Sequence, residues 1–357
     1  MALLAGPAAL SACAGDPQAL QGPLRPVQYG TPAGPASVLL SWFAIADRLG
    51  YFAEEGVEST VKAVPAPLPL VQAGKLQASV QTPAELLPFL AQNPASDLMV
   101  VWTSVPRPFL WTVVPATSTV RDFSELKGKT LACLGPGGLW WFIDAMCTQS
   151  GLRPGDVKKA VVPAGAALVA AFRKGEIDAG IYPDAQVVQA NEQLRGDPIG
   201  PLRVLPIPAS LQKTGGTTNI LKRSTLEKNG DFYAGYLRAL VKGFTFLNAN
   251  VPAGISIHLD AFPTLRQPNE SRRQTIDRLA KELQPRLDVS GPPDWATEKH
   301  PWGWTYKENL SGWEEIIPVL AGKKLDLAKL YTNELVSRAH DFEAAEIVKA
   351  ARAHPVE

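Results

Sequence analysis

The sequence predicts an α/β fold of two lobes with a central ligand cleft between them. Predicted strands and helices alternate along most of the chain, which is typical of sheets whose strands are mainly parallel. The chain has 357 residues, a length that favours two hydrophobic cores over one. One sequence module also occurs twice, which indicates that the two lobes are related.

The repeated module spans residues 74–84 (GKLQASVQTPA) and residues 175–185 (GEIDAGIYPDA). Each copy follows an apolar run with helical spacing and begins with glycine, which suits the left-handed residue that ends a helix. The residues that follow predict a short strand with a polar end, and ligands of such sheets bind at the carboxyl ends of the strands. The ligand contacts predicted here are Gln81, Thr82, Tyr182 and Asp184. The alternative is ordinary turn chemistry, with Asp184 capping the following helix.

The first lobe begins with a short predicted strand at 27–31. Residues 38–49 follow with apolar side chains at helical spacing, and a strand runs through Val64. The next helix starts in a proline-rich segment, which is compatible with its first turn. The strand at 76–80 belongs to the repeated module, and another helix begins at Ala84.

Two apolar strands complete this part of the first lobe. Residues 98–102 are continuously apolar, as expected for a strand in a sheet that is covered on both faces. Residues 109–114 form the second strand, and we place the crossing into the second lobe directly after it. We place the return crossing near 217–221. The predicted lobes are 25–114 with 220–357, which includes a C-terminal helical cap, and 115–219.

The second lobe begins with a polar connection and the tight turn KGK at 127–129. A strand at 130–134 leads through a glycine-rich loop into a helix that begins at Leu139 and ends near Gly151. The remaining predicted elements are a strand at 157–162, a helix at 166–174, the repeated strand at 177–181 and, from Leu226 onward, helices of which 232–249 is the longest.

The composition excludes several classes of function. A hydrophobic content of 46%, a charged content of 19% and a net charge of +1 describe an ordinary globular protein. Without a basic stripe, nucleic acid is not an expected partner. The sequence has three cysteines and no Cys-x-x-Cys pair, so it lacks the ligands of a zinc or iron–sulfur site. No cofactor is expected. We expect Cys133 and Cys147 to be free and buried.

The N-terminal residues 1–24 are expected to be a signal segment and linker. An apolar run at 2–10 leads into Leu-Ser-Ala-Cys, which resembles a bacterial lipoprotein signal with Cys13 as the lipidated residue. No Lys or Arg precedes Cys13, which departs from that pattern. A start codon assigned too late would explain the departure. The alternative is a disordered apolar N-terminus.

Four segments occur along the chain in consistent order, namely 46–57 (ADRLGYFAEEGV), 123–130 (FSELKGKT), 175–184 (GEIDAGIYPD) and 330–335 (LYTNEL). Together they resemble the periplasmic solute-binding proteins of ABC importers, in the branch for alkanesulfonates, taurine, nitrate and the pyrimidine precursor of thiamine. The resemblance implies a periplasmic-binding-protein fold of type II-like topology that closes around a small molecule. It also implies a monomer outside the cytoplasm that delivers the ligand to an ABC transporter permease in the inner membrane.

Further ligand contacts are expected in loops at strand ends. The loop 135–138 (GPGG) leads into a helix whose N-terminus favours an anionic or polar group, and in the resembled family this loop contacts the ligand. Of Trp140 and Trp141, at most one is expected to face the cleft, because adjacent helical residues point about 100° apart. The contacts predicted from these loops and strand ends are Trp42, Phe43, Trp102, Thr103, Ser104, Gly137, Gly138, Trp140 and Thr218. For each tryptophan, core packing is the alternative.

The ligand suggested by these aromatic residues is a small aromatic or heterocyclic molecule, with an acidic group as one option. Arg107 is a candidate partner for such a group, with a solvated loop arginine as the alternative. We assign Trp302, Trp304 and Trp313 to packing. An aliphatic sulfonate is the second choice of ligand. A synthase-like enzyme on the same fold is the rival class, but the cysteine-rich cluster of the yeast pyrimidine-precursor synthases does not occur here.

Overall fold

A computed structural model describes residues 23–136, 138–316 and 325–356, without the side chains of residues 314–316. The predicted lipidation site Cys13 and the predicted ligand contact Gly137 lie outside the described residues.

Ten strands are present in the described residues. They are β1 (Arg25–Thr31), β2 (Val57–Ala63), β3 (Ala78–Gln81), β4 (Leu98–Val105), β5 (Leu110–Pro115), β6 (Thr130–Cys133), β7 (Lys158–Val161), β8 (Ala179–Pro183), β9 (Leu202–Val204) and β10 (Thr217–Lys222).

The α-helices surround two sheets that these strands form. They are α1 (Ser41–Arg48), α2 (Tyr51–Glu54), α3 (Leu68–Gln72), α4 (Pro83–Gln92), α5 (Gly138–Gln149), α6 (Ala166–Arg173), α7 (Asp184–Gln193), α8 (Arg223–Ala249), α9 (Val251–Ala261), α10 (Arg272–Asp288), α11 (Lys307–Ile316), α12 (Glu334–Ala339) and α13 (Ala344–Ala353). None of these helices is both long and apolar enough to cross a membrane.

The two sheets have the same topology. The first has the order β2-β1-β3-β10-β4 and the second the order β7-β6-β8-β5-β9. In each sheet the strand in fourth position pairs antiparallel with both neighbours, while the first three strands pair in parallel. The predicted two-lobed α/β class is therefore confirmed, with mixed sheets in which one strand runs against the other four.

The antiparallel strands are the two that follow the crossings between lobes. Strand β5 pairs with β8 and β9 and thus belongs to the second sheet. The prediction had placed this strand in the first lobe, and its pairing corrects that placement. Strand β10 pairs with β3 and β4 of the first sheet, including residues 217–219, which the prediction had given to the second lobe. Both crossings lie earlier in the chain than predicted, because an apolar strand does not reveal which sheet it will join.

The long helix α8 anchors the first lobe. Its buried face packs against α1, α12 and α13 within one large apolar core. A Cβ on Gly243 would lie 2.3 Å from the carbonyl oxygen of Trp42, so only glycine allows α8 to approach α1 this closely. This contact fixes the end of α1 that carries Trp42.

The C-terminal segment returns to the first sheet. Gly303 pairs with Thr103, and Tyr331 pairs with Val100, so this segment lies against β4. Helix α10 packs on the first-lobe core through its apolar face and also contacts α7 of the second lobe. The chain therefore brings residues from its last quarter to the boundary between the lobes.

Candidate functional site

A cavity of about 340 Å³ lies between the two sheets. It is lined by residues at the carboxyl ends of β1, β3 and β4 in the first lobe, namely Thr31, Gln81 and Ser104. From the second lobe it is lined by Leu134, directly after β6, and by Pro183 at the end of β8. This is where open α/β sheets bind ligands, and both lobes contribute walls.

Three tryptophans form one wall of the cavity. The ring of Trp302 lies 5.0 Å from that of Trp102 and 5.9 Å from that of Trp42, both in edge-to-face geometry. Phe244 stacks on Trp302 at 3.7 Å, and the indole nitrogen of Trp302 donates to the carbonyl oxygen of Ser104 at 2.8 Å. These contacts hold the rings in place, so the wall is preorganised for an apolar or flat ligand.

Tyr29 and Asn219 form a buried polar pair beside this wall. The hydroxyl of Tyr29 donates to Oδ1 of Asn219 at 2.5 Å, and both residues line the cavity. Burial raises the pKa of Tyr29 well above its ordinary value, so the phenol stays neutral and keeps its role as donor. Asn219 thereby keeps its amide nitrogen available for a ligand.

Glu85 contributes a carboxyl group from the first turn of α4. Its Oε2 accepts from the backbone nitrogen of Thr82 at 3.3 Å and from the Thr82 hydroxyl at 3.0 Å. Burial raises the pKa of Glu85, and the two bonds from Thr82 oppose that effect. Glu85 and Thr82 both line the cavity, so the first turn of α4 presents polar atoms to it.

Arg286 and Asp184 form a buried ion pair between the lobes. Nε and Nη2 of Arg286 donate to the two carboxylate oxygens of Asp184 at 3.1 and 2.9 Å. The side chains are only 5% and 0% exposed, and the ring of Phe109 lies 4.2 Å from the guanidinium carbon. Arg286 also lines the cavity, with Asp184 behind it. Since Asp184 neutralises it, Arg286 offers hydrogen-bond donors without a free positive charge.

A family model described as NMT1/THI5 like matches residues 41–251, which is more than half of the chain. The chain belongs to the NMT1/THI5-like family. The family resemblance drawn from the sequence is thereby confirmed. No curated protein sequence matches the chain significantly.

Solved structures with the same two-lobed fold include binding proteins and an enzyme. The periplasmic aliphatic sulphonate binding protein SsuA of Escherichia coli is 20% identical, with 85% of this chain and 91% of that chain covered and a TM-score of 0.62. The nitrate-binding protein NrtA of Synechocystis PCC 6803 is 13% identical, with coverages of 93% and 97% and a TM-score of 0.59. The desulfurization enzyme DszB is 10% identical, with coverages of 88% and 98% and a TM-score of 0.52. At these identities the likeness establishes the fold alone.

The cavity of this NMT1/THI5-like protein brings together about half of the contacts predicted from the sequence. The predicted residues that line it are Trp42, Gln81, Thr82, Trp102, Ser104 and Gly138. They come from four separate segments that meet only in the folded protein.

Four predicted contacts point away from the cavity because they alternate with lining residues or lie on another face. In β4, Trp102 and Ser104 line the cavity, whereas the hydroxyl of Thr103 lies 2.8 Å from that of Thr305 on the opposite face. In β10, Thr218 donates to the carbonyl oxygen of Gln81 at 2.9 Å. The other two do not line the cavity either: Phe43 packs on Tyr29 at 4.6 Å, and the hydroxyl of Tyr182 donates to the carbonyl oxygen of Val162 at 2.8 Å.

Three further predictions need correction. Trp140 packs against the second-lobe core beside Lys159, and Trp141 packs there as well, so neither lines the cavity. Their neighbour Leu139 does. Asp184 touches the cavity only through its partner Arg286. Arg107, the candidate for an acidic group, lies elsewhere, where it donates to the carbonyl oxygen of Asp288.

The sequence interpretation missed residues whose role depends on distant segments. Trp302 and Trp313 were assigned to packing, yet both line the cavity. Gly303 lets this segment approach β4, because a Cβ on Gly303 would lie 2.3 Å from the ring of Trp102. The sequence interpretation also missed Arg286, Glu85 and Asn219, which line the cavity as well.

The two described cysteines are free and buried, as predicted. Cys133 ends β6, close to the cavity, and its thiol lies 3.3 Å from the carbonyl oxygen of Gly135. Burial raises the pKa of Cys133 and raises that of Cys147 to about 11. Both thiols are thus protonated near neutral pH, which is unfavourable for a nucleophile.

Proposed function

We propose that this chain is the extracytoplasmic substrate-binding subunit of an ABC importer and captures a small aromatic or heterocyclic solute between its lobes. The observation that carries the proposal is the cavity at the carboxyl ends of the strands of both sheets. A site with walls from both lobes gains contacts when the lobes close on a ligand. Membership of the NMT1/THI5-like family supports the proposal.

The aromatic wall supports an aromatic or heterocyclic ligand. Trp302 lines the cavity as a partly exposed ring held by the buried rings of Trp42 and Trp102, and a cavity of about 340 Å³ suits a small solute. SsuA is described as binding aliphatic sulphonates and NrtA as binding nitrate. An aliphatic sulfonate is therefore the alternative ligand for this chain.

The proposed importer subunit works outside the cytoplasm as a monomer and hands its ligand to a permease in the inner membrane. A lipid on Cys13 would anchor it to the membrane. Mass spectrometry of the protein purified from a bacterial host tests that modification directly. A chain that keeps residues 1–12, or a mature N-terminus at any residue other than Cys13, contradicts it.

The rival proposal is an enzyme, and the similarity to the desulfurization enzyme DszB favours it. The raised pKa of the Cys133 thiol argues against a cysteine nucleophile at the cavity. The two proposals differ in the fate of the ligand, because a binding protein releases it unchanged.

Thermal unfolding in the presence of aromatic solutes, pyrimidines, sulfonates and nitrate tests the proposal. A ligand stabilises the folded protein by about 2.7 kcal/mol at a hundredfold excess over its Kd. We expect at least one aromatic or heterocyclic solute to raise the melting temperature and to change tryptophan fluorescence. Chemical conversion of that solute contradicts the binding role, and stabilisation by taurine or nitrate alone contradicts the aromatic ligand.

A further inference from the structure

The charged groups of the cavity do not suit an anionic ligand. Among the described residues that line it, Arg286 is the one with a basic side chain, and Asp184 matches its charge in the bidentate pair. Glu85 also lines the cavity and has no ion-pair partner among the described residues. The charges of Arg286 and Asp184 cancel, so an ionised Glu85 would leave the cavity with a net negative charge.

Glu85 also lies beside the N-terminus of α5, a helix end that favours an anion. A Cβ on Gly138, the first residue of α5, would lie 3.1 Å from Cγ and 3.7 Å from Cδ of Glu85. The N-terminus of a helix favours negative charge, and here the carboxyl group of Glu85 lies beside it. An anionic ligand group at this position would have to displace Glu85 or bear its repulsion.

One oxygen of Glu85 remains free for a ligand. Oε2 accepts both bonds from Thr82, whereas Oε1 makes no hydrogen bond to a described residue. A ligand N–H or ammonium group can therefore pair with Oε1 while the first turn of α4 stays intact. The Trp302 ring, which lines the same cavity and is partly exposed, adds a favourable interaction with a positive charge.

We propose that the cavity selects solutes that carry a protonated amine or another positively charged nitrogen group, and that the Glu85 carboxylate is its partner. The inference rests on the proposed solute-binding function and names the charge class of the solute. The loop sequence 135–138 suggested a ligand with an acidic group, whereas this inference assigns the ligand a basic group. It also separates this chain from proteins described as binding sulphonates or nitrate.

Matched probes with one aromatic ring test the charge class. Benzylamine is the cation, benzyl alcohol the neutral probe and benzoate the anion, and isothermal titration calorimetry at neutral pH measures each affinity. Since a hydrogen bond to a charged group contributes about 1.5–3 kcal/mol, we expect benzylamine to bind about tenfold to hundredfold more tightly than benzyl alcohol. We expect no detectable binding of benzoate.

Glu85→Gln tests the assigned partner. Glutamine also fits a capping box and can accept from Thr82, so the helix start is expected to stay intact. The variant should lose the preference for benzylamine and keep its affinity for benzyl alcohol. Glu58→Gln removes an exposed carboxylate that does not line the cavity and should change neither affinity. Circular dichroism and the melting temperature of each free variant report its folding.

The outcomes separate the inference from the proposed function. Tighter binding of benzoate or equal binding of all three probes overturns the charge assignment and leaves a solute-binding protein. An unchanged preference for benzylamine in a folded Glu85→Gln variant overturns the role of Glu85. If no probe of any charge binds up to solubility, both the inference and the aromatic ligand are overturned.

Discussion

The guanidinium of Arg286 and the carboxylate of Asp184 join the two lobes through a bidentate ion pair at 2.9 and 3.1 Å. Arg286 belongs to α10, which packs on the first-lobe core, and Asp184 begins α7 of the second lobe. Phe109, beside the first crossing, covers the pair. The pair therefore both lines the cavity and couples the lobes at its edge.

Removing one member of this pair should be costly. Asp184→Asn leaves the buried Arg286 without a counter-charge, which typically destabilises a protein by about 3–5 kcal/mol. Replacing both residues with apolar side chains of similar size, in Asp184→Leu with Arg286→Met, should cost less. Urea unfolding of Asp184→Asn, of the single variants Asp184→Leu and Arg286→Met and of the double variant measures the difference. Additive losses would show that the two side chains do not interact.

Trp302 should be needed for ligand affinity. Trp302→Ala removes the ring that links Trp42 and Trp102, so we expect the affinity for an aromatic ligand to fall by about tenfold or more, or at least about 1.4 kcal/mol. Trp304→Ala is the control, because Trp304 stacks on His300 and does not line the cavity. Titration followed by fluorescence compares the two variants. Equal losses of affinity in the two variants would show that Trp302 does not contact the ligand.

His258 should make the protein sensitive to mild acid. Burial lowers the pKa of His258 to about 4, and its Nε2 lies 3.1 Å from the carbonyl oxygen of Ala36. In the unfolded chain His258 takes up a proton near pH 6.5, whereas in the folded protein it does so only near pH 4. The free energy of unfolding is therefore highest above pH 6.5 and decreases as pH falls toward 4. Between pH 6.5 and pH 4 the free energy of unfolding decreases by about 3 kcal/mol.

Urea unfolding at pH 7 and pH 5 measures this loss. His258→Gln can still donate to Ala36 and does not titrate, so its stability should fall less between the two pH values. The same pH dependence in the variant and the native protein would assign the acid sensitivity to other groups.

Two glycines of α8 should respond in opposite ways to alanine. Gly243→Ala places a Cβ 2.3 Å from a backbone oxygen of α1, so the helices must separate, at a cost of about 1–3 kcal/mol. At Gly230 the nearest atom is the end of the Arg338 side chain, 3.9 Å away. Gly230 directly follows Asn229, where the backbone of α8 is not helical, so Gly230→Ala should be neutral or only slightly stabilising. Thermal unfolding compares the variants, and equal destabilisation would contradict the close packing of α8 on α1.

The alternation of elements predicted most of the fold, because each strand and helix carries a local periodic pattern. The repeated module correctly indicated β3 and β8, which hold equivalent positions in the two sheets. The sheet that β5 joins was not predictable from local pattern. Its apolar residues would suit either sheet, and only the antiparallel pairing with β8 decides between them.

The site was harder to predict than the fold. Strand alternation separates Trp102 and Ser104 from Thr103, so a strict application of the two-residue period would have excluded Thr103 from the prediction. Arg286 and Trp302 reach the cavity from segments far along the chain. No short-range pattern indicates such contacts, because they depend on how α10 and the C-terminal segment return to the first lobe.

The most direct test of the central claim is native mass spectrometry of the purified protein with the solute that stabilises it most. We expect a complex of one protein and one solute, and denaturation should release the solute with its mass unchanged. In the Trp302→Ala variant the bound fraction should fall while the free protein stays folded. A released product of altered mass, or equal binding by the variant, would contradict a solute-binding cavity at this position.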